Sequence, residues 1–125
     1  MTEHAVTFKF KGGDKEKAEY YASEADRDLI VQFLEYFKEK EMVYMDGTDH
    51  VDLDDAIKDI KDASIVDGVL TLTPAEFWGV HRFFRKHQNV TEEFKQVSVE
   101  NFSIILEELR KAFYIVLTPQ VPVGD

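Results

Sequence analysis

Residues 46–62 carry seven Asp among 17 residues, which is a dense set of oxygen atoms that could bind a cation. An EF-hand calcium loop needs oxygen ligands at positions 1, 3 and 5, glycine at position 6 and glutamate at position 12. Counted from Asp46, Val51 stands where the glycine is required and Ile57 where the glutamate is required. A loop counted from Asp49 fails at position 3. We therefore expect no metal site in this run.

Part of the Asp run has a structural explanation. Asp46 and Gly47 are the residue pair favoured in a tight hairpin turn, where both central residues need positive φ. Asp52 is placed to cap a short helix over about 53–62, because its side chain can accept hydrogen bonds from free N–H groups. Carboxylates in the first helical turn also interact favourably with the helix dipole.

The remaining acids suggest recognition. At 100° per residue, Asp55, Asp59 and Asp62 form one stripe opposite the apolar face of this helix. A line of carboxylates matches positions at which a basic cleft would otherwise hold phosphates. We interpret the stripe as a candidate partner-binding surface, although a solvated face is the commoner explanation of a charge run.

A second candidate surface lies in residues 73–87, TPAEFWGVHRFFRKH. Helical spacing puts Trp78, Arg82 and Arg85 on one stripe, where an indole ring can stack and two guanidinium groups can hold an anion. The same pattern also describes a Trp at the core margin with Arg stems packed over it. We keep this stripe as an alternative ligand-binding site, for a nucleotide or another anion.

Phe83 points nearly opposite the predicted core face of the same helix. Either another element covers it, or it is an exposed aromatic anchor of the kind that dominates protein interfaces. We include Phe83 with the Asp stripe among the predicted partner-binding residues.

The sequence contains no recognisable catalytic signature. There is no phosphate-binding loop, no dinucleotide fingerprint, no G-x-S-x-G elbow and no H-E-x-x-H zinc motif. Cys is absent, so the chain has no thiolate nucleophile and no disulfide. We predict that the protein is not an enzyme and uses no metal and no cofactor.

The N-terminal third predicts two strands and a helix. Alternating apolar residues in 6–10 predict a strand with one buried face, followed by a turn at 12–14 and a partner strand within 15–22. Ser23 with Asp26 three residues later resembles a capping box, and helical spacing then predicts a helix over about 24–40.

The remainder alternates between hairpin and helix signals. A strand is predicted at 42–45, and Asp67-Gly68 lies between two β-prone runs and predicts a hairpin. Thr73 as the cap, Pro74 at the first helical position and Glu76 at the third form a second capping box, which starts a helix to about residue 87. A further helix begins near Ser98. Residues 113–117 fit either its extension or a strand, and the tail from about 119 is expected to fray.

Together these elements predict an α+β fold. A small antiparallel sheet, with hairpins near 46–47 and 67–68, packs with three to four helices in a single domain over residues 1–125. A chain of 125 residues with 44% hydrophobic residues suits one domain with one core.

The charge balance limits the class of partner. The net charge is -10, and residues 23–63 hold 13 acidic and five basic residues, a net charge of -8. This disfavours direct contact with nucleic acid or an anionic membrane and favours a basic protein partner. The sequence has no apolar run of about 18 residues and no secretory signal, so we expect a cytoplasmic protein.

In size, acidity and lack of Cys the chain is similar in type to small phage-encoded inhibitors of host proteins and to bacterial immunity proteins that neutralise nuclease toxins. No site residue follows from that likeness. The main hypothesis is a non-catalytic acidic protein that inhibits or modulates a basic, nucleic-acid-binding or nuclease-type protein through residues 46–62. The alternatives are an anion-binding module at the Trp78 stripe and an oligomeric structural subunit that uses Phe83.

Overall fold

The computed structural model of the protein describes residues 6–41, 47–86 and 99–112. Its elements follow in the order β1 (Lys9–Asp14), β2 (Lys17–Tyr21), α1 (Glu24–Glu41), α2 (Gly47–Asp62), β3 (Ile65–Val66), β4 (Val69–Leu72), α3 (Pro74–Lys86) and α4 (Val99–Lys111). The α+β prediction is confirmed, since four helices pack with a small antiparallel sheet. No helix in these ranges is long and apolar enough to cross a membrane.

The sheet has the strand order β1-β2-β4-β3, and every neighbouring pair is antiparallel. The helices α1 and α2 lie in sequence between β2 and β3. Alternate side chains of the central strands are buried, namely Ala18 and Tyr20 on β2 and Leu70 and Leu72 on β4. Because side chains alternate across a strand, the sheet has one inner face in the core and one outer face.

The first hairpin turns later than the sequence predicts. β1 continues through Asp14, whose carboxylate accepts the N–H groups of Glu16 at 2.8 Å and Lys17 at 3.1 Å. Such bonds from an Asp side chain to the following backbone stabilise a turn. The turn predicted at 12–14 is therefore wrong in position. Gly12, with a φ of 154°, instead adjoins an irregularity in the strand register, where a residue without Cβ is favoured.

Of the two predicted Asp-Gly hairpins, the structure contains the one at 67–68. Asp67 and Gly68 have φ values of 53° and 77°, as a two-residue turn between antiparallel strands requires. The hairpin predicted at 46–47 is wrong at Gly47, because Gly47 is the first residue of α2. Residue 46 and the strand predicted at 42–45 lie outside the described residues.

Helix α2 is longer than predicted. It spans 16 residues, so Asp52 lies inside the helix rather than at its cap. Leu53, Ile57 and Ile60 are buried, and α2 packs against α1 and α3. Burial of such a face supplies most of the stability of a helix in a protein and overrides a local turn preference.

The two predicted capping boxes are confirmed. At the start of α1, Ser23 N–H donates to the Asp26 carboxylate at 2.9 Å, and Asp26 N–H donates to Ser23 Oγ at 3.1 Å. At the start of α3, Thr73 N–H donates to Glu76 Oε1 at 2.9 Å and Glu76 N–H donates to Thr73 Oγ1 at 3.2 Å. The predicted helices at 24–40 and 74–87 are present as α1 and α3, whereas residues 87 and 113–125 lie outside the described ranges.

We expect Thr73→Ala to lower the free energy of unfolding by about 1 kcal/mol, because it removes the side-chain acceptor at the start of α3. Urea denaturation of the variant and the wild type measures this difference. Thr73→Ser keeps the hydroxyl and is the matched control, which we expect to stay close to the wild type. Equal losses for Ala and Ser would show that the capping bond contributes nothing.

Helix α4 is tied to the sheet by two polar contacts. The Tyr20 hydroxyl donates to the Leu109 carbonyl at 3.2 Å, and the Phe10 N–H donates to Glu108 Oε1 at 2.8 Å. Burial, with the Glu108 carboxylate nearby, raises the pKa of Tyr20, so its hydroxyl stays protonated as a donor. The second contact satisfies a backbone donor on β1, which is an edge strand of the sheet.

Candidate functional site

An open groove of about 690 Å³ lies where the end of α2 meets the sheet. Residues of β1, β2, β4, the β3–β4 hairpin and the first turn of α3 also line it. Its charged lining residues are Lys11, Glu19, Asp59, Asp62, Asp67 and Glu76. Its other lining residues are Ala63, Ser64, Val66, Val69 and Thr71. Among the described residues that line it, five carboxylates and one ammonium group give this acidic groove a net charge of -4.

Each wall of the acidic groove follows from local structure. Glu19 pairs with Thr71 across β2 and β4, and both alternate with buried residues, so they face outward. Asp67 is held at the hairpin by its positive φ. Glu76 is fixed in the first turn of α3 by its bond to the Thr73 N–H. The carboxylates therefore sit on defined backbone positions rather than on one continuous run.

The charge of the acidic groove is only partly neutralised. Lys11 lies 3.8 Å from Glu19, and Lys58 lies 2.7 Å from Asp62 on the exposed side of α2. Exposed pairs of this kind are weak and are screened by salt. Within the described ranges, Asp59 has no ion pair, and the same holds for Asp67 and Glu76.

Asp59 is partly buried and is repelled by the carboxylates around it, and its pKa is shifted accordingly. Partial burial, followed by the neighbouring carboxylates of Glu76 and Asp55, raises the pKa of Asp59. A cation placed among these groups would relieve that repulsion. Among the described residues, no group of three or more His, Asp or Glu side chains is arranged so that it could hold a metal ion.

The predicted Asp stripe divides between groove and open surface. Asp59 and Asp62 line the acidic groove, whereas Asp55 is exposed on α2 one turn earlier and is not among the lining residues. The sequence interpretation did not include Glu19, Asp67 and Glu76 in the site. Each of these three acids had a local explanation, in a strand, a turn or a helix cap.

Phe83 is a core residue, contrary to its assignment as a partner-binding anchor. Only 1% of its surface is exposed, and the Arg82 guanidinium lies 4.5 Å from its ring centre. Helix α3 contacts both α2 and α4, so it is covered on more than one side and buries residues off its main apolar stripe. The other reading, in which another element covers Phe83, is the one that the structure supports.

In the alternative anion site of Trp78, Arg82 and Arg85, one side chain already makes contacts within the protein. Trp78 is 41% exposed and Arg85 is exposed, whereas Arg82 is half-buried against Phe83. Arg110 of α4 adds a further positive charge near this stripe, since both Arg85 and Arg110 help to lower the pKa of His81. Cations in the last turn of a helix also have an ordinary role in offsetting the helix dipole.

His81 gives the fold a predicted pH dependence. It is buried and stacks on Phe77, with ring centres 5.2 Å apart. Burial, reinforced by Arg85 and Arg110, lowers the pKa of His81 to about 4. The unfolded chain then binds a proton at this residue from about pH 6.5 downward while the native state does not, so stability present above pH 6.5 is lost as the pH falls toward 4.

We expect His81 to destabilise the fold by about 2 kcal/mol between pH 7 and pH 4.5, as the pKa difference requires. Denaturation of the wild type and of His81→Phe at both pH values measures it. The quantity compared is the change in the free energy of unfolding between the two pH values. The cost of the substitution itself and the titration of the carboxylates affect both proteins alike at the two pH values, so they cancel when the variant is compared with the wild type. An identical pH dependence of the two would contradict a buried neutral His81.

No known protein family matches this chain, and neither a curated protein nor a solved structure matches it. Its function therefore has to be inferred from the acidic groove and the surfaces around it.

Proposed function

We propose that the protein is a non-catalytic acidic binding protein that inhibits or modulates a basic protein through the acidic groove. The observation that supports this is the convergence of five carboxylates from four separate parts of the chain on one open surface, whose described lining residues include a single lysine. The four parts are β2, the end of α2, the β3–β4 turn and the start of α3.

Electrostatics explains why a basic protein is the partner of choice. A concave surface lined by charges of one sign focuses the field and raises the rate at which an oppositely charged partner associates. Carboxylates fixed on separate elements can meet Lys and Arg side chains that would otherwise hold phosphates. A partner that binds nucleic acid or cleaves it would then be blocked at its own basic surface, which is the mode of inhibition that we propose.

A groove in which three of the five lining carboxylates are neutralised tests the proposal. In the groove triple variant, Asp59, Asp62 and Asp67 become Asn. The fold should survive, because Asp62 and Asp67 are exposed, Asn also tolerates positive φ, and loss of like charges relieves repulsion at Asp59. Immobilised wild type should retain a basic protein from lysate at low salt, and the groove triple variant should not.

A matched control separates the site from net charge. The control triple variant changes Glu16→Gln, Asp28→Asn and Glu100→Gln, which are exposed acids outside the groove lining. It removes the same charge and should retain the partner. Glu19 cannot serve as a control residue because it lines the acidic groove. Equal loss of the partner in both triple variants would show that only net charge matters.

A second candidate function remains for the helix pair α3 and α4. The centre of the exposed Trp78 ring lies 6.1 Å from the centre of the His81 ring. Arg85 and Arg110 are near enough to His81 to help lower its pKa. Such a surface would bind an anion such as a nucleotide by stacking and charge. Saturable quenching of Trp78 fluorescence by a nucleoside triphosphate, lost in Arg85→Gln, would support it. The hypothesis of an oligomeric structural subunit relied on Phe83 as a contact residue, and Phe83 is buried and cannot contact a second copy.

A further inference from the structure

The outer face of the sheet carries an exposed apolar row. Tyr21 on β2 pairs with Val69 on β4, and Val69 pairs with Val66 on β3. Residues that pair directly across antiparallel strands project from the same face, so the three side chains form a row across three strands. Tyr21 is 48% exposed and Val66 is 64% exposed, which leaves this row accessible to a partner.

The described parts of the four helices bury the opposite, inner face of the sheet, although the end of α2 and the start of α3 border the outer one at the acidic groove. The inner-face residues Ala18, Tyr20, Leu70 and Leu72 are buried in the common core with residues of all four helices. An α-helix or a strand with an apolar side commonly covers a second sheet face in layered folds. The solvated face of an antiparallel sheet usually carries polar residues, so the exposed apolar side chains of Tyr21 and Val66 set this part of the outer face apart.

The apolar row runs into the acidic groove. Val66 and Val69 line the groove together with Asp62 and Asp67, so apolar and anionic groups form one continuous surface. Charge complementarity then selects the occupant. A second copy of this chain would bring together two grooves of net charge -4, whereas Lys or Arg side chains would be attracted.

We propose that the outer face of the sheet is the docking site for a basic amphipathic segment of a partner protein, in which Lys or Arg side chains flank an apolar centre. This rests on the proposed function and narrows it to a class of segment. The apolar side chains would pack on Tyr21, Val66 and Val69. The cations would lie over Asp59, Asp62 and Asp67.

The two halves of this surface have different kinetic roles. Carboxylates at the rim accelerate encounter and lose their influence as salt rises. An aromatic side chain at the centre of a contact, such as Tyr21, supplies affinity because its burial slows dissociation. Charge alone would not distinguish one basic protein from another, whereas the apolar row would.

Synthetic peptides test the docking site without knowledge of the partner. One probe is a short peptide of Leu and Lys with Leu at i, i+3 and i+4 spacing, and the other contains Lys and Ser with the same charge. Isothermal titration calorimetry measures both against the full chain. We expect the Leu/Lys peptide to bind at least about tenfold more tightly than the Lys/Ser peptide, since only it buries apolar area.

Two sets of variants assign the binding. Tyr21→Thr with Val66→Thr removes the apolar row while keeping strand-forming residues, and should weaken the Leu/Lys peptide about tenfold or more without affecting the Lys/Ser peptide. Ile104→Thr is the control, because Ile104 is an exposed apolar residue on α4, at 42%, outside the sheet. The groove triple variant should weaken both peptides. Amide chemical shifts at Tyr21 and Thr71 should move on binding.

The outcomes separate the two proposals. If the two peptides bind equally and only the groove triple variant weakens them, the docking site is wrong and the charge-based function stands. If neither peptide binds the wild type, or if both triple variants behave alike, the docking site and the proposed function both fail. A mass that rises with concentration and returns to the monomer value in the Tyr21/Val66 variant would make a second copy the occupant and overturn the proposal.

Discussion

Phe102→Ala should lower the free energy of unfolding by about 3–5 kcal/mol, the usual range for deleting a buried aromatic ring. Phe102 is buried on α4 between three other rings. Its ring centre lies 5.4 Å from Phe33, 6.0 Å from Phe37 and 5.3 Å from Phe84. The rings of Phe33 and Phe37 on α1 also contact the ring of Phe84 on α3, so these rings cannot fill the cavity without losing contacts with one another. We therefore expect α4 of the variant to be the helix with the least protection from hydrogen exchange.

Ile104→Ala is the matched control for this prediction, because it removes apolar carbon from the same helix at a partly exposed position. We expect it to cost less than about 1 kcal/mol, as surface substitutions generally do. Urea denaturation of the three proteins gives the comparison. If Phe102→Ala and Ile104→Ala had similar costs, the aromatic cluster would not be a principal source of stability.

Asp26→Ala should be comparably damaging, at about 3–4 kcal/mol, because it removes a buried carboxylate that accepts three partly buried hydrogen bonds. The Asp26 carboxylate is fully buried and accepts the N–H of Ser23 at 2.9 Å and the N–H of Thr7 at 3.1 Å. It also accepts the Thr7 hydroxyl. The side chain thus caps α1 and ties the segment before β1 to that cap.

Asp28→Ala is the control for the Asp26 prediction, since Asp28 is an exposed acid in the same helix and has the same charge. We expect a loss below about 1 kcal/mol there, limited to the helix-dipole contribution. Asp26→Asn should lose at least half of the full effect, because its amide group would face N–H and O–H donors. A loss at Asp26 no greater than that at Asp28 would contradict the buried cap.

The caps show which features of this fold can be predicted from sequence. Ser23 with Asp26, and Thr73 with Glu76, satisfy backbone donors within three residues, so the sequence pattern contains the whole interaction. The Asp67-Gly68 turn is equally local. The tie from Asp26 to Thr7 could not be foreseen, because it links residues 19 positions apart through a path that only the folded chain defines.

Predictions failed where tertiary packing decided the outcome. At Gly47 the local preference for a turn lost to the burial of one face of α2. At Phe83 the predicted direction was wrong: at 100° per residue this side chain lies about 90° from the centre of the apolar face of α3, on its flank and not opposite it. The sequence also could not show that α2 and α4 both contact this helix. Helical spacing gives the direction of a side chain relative to its own helix and gives no information about neighbouring elements.

The candidate site was predictable only in part, for a related reason. Asp59 and Asp62 follow from helical periodicity, since both belong to one helix. Glu19 and Asp67 join them because β2 and β4 are neighbours in the sheet, an order that sequence spacing does not contain. The outward position of Glu19 was available from strand alternation, but its proximity to α2 was not.

The proposed function and the docking proposal share the acidic groove but depend on different properties of it. The first needs long-range attraction of a basic protein by Asp59, Asp62 and Asp67. The second needs contact with the apolar row of Tyr21, Val66 and Val69. Association rates report the attraction and dissociation rates report the contact, so kinetic measurements separate the two contributions.

The most direct test of the central claim is the association rate constant of the basic protein retained by the wild type, measured by surface plasmon resonance at several salt concentrations. The groove triple variant should associate about tenfold more slowly at low salt, and the slope of its rate against salt should flatten. The control triple variant, with equal charge removed, should stay within about twofold of the wild type. Equal slowing in the two triple variants, or no slowing in either, would contradict recognition through the acidic groove.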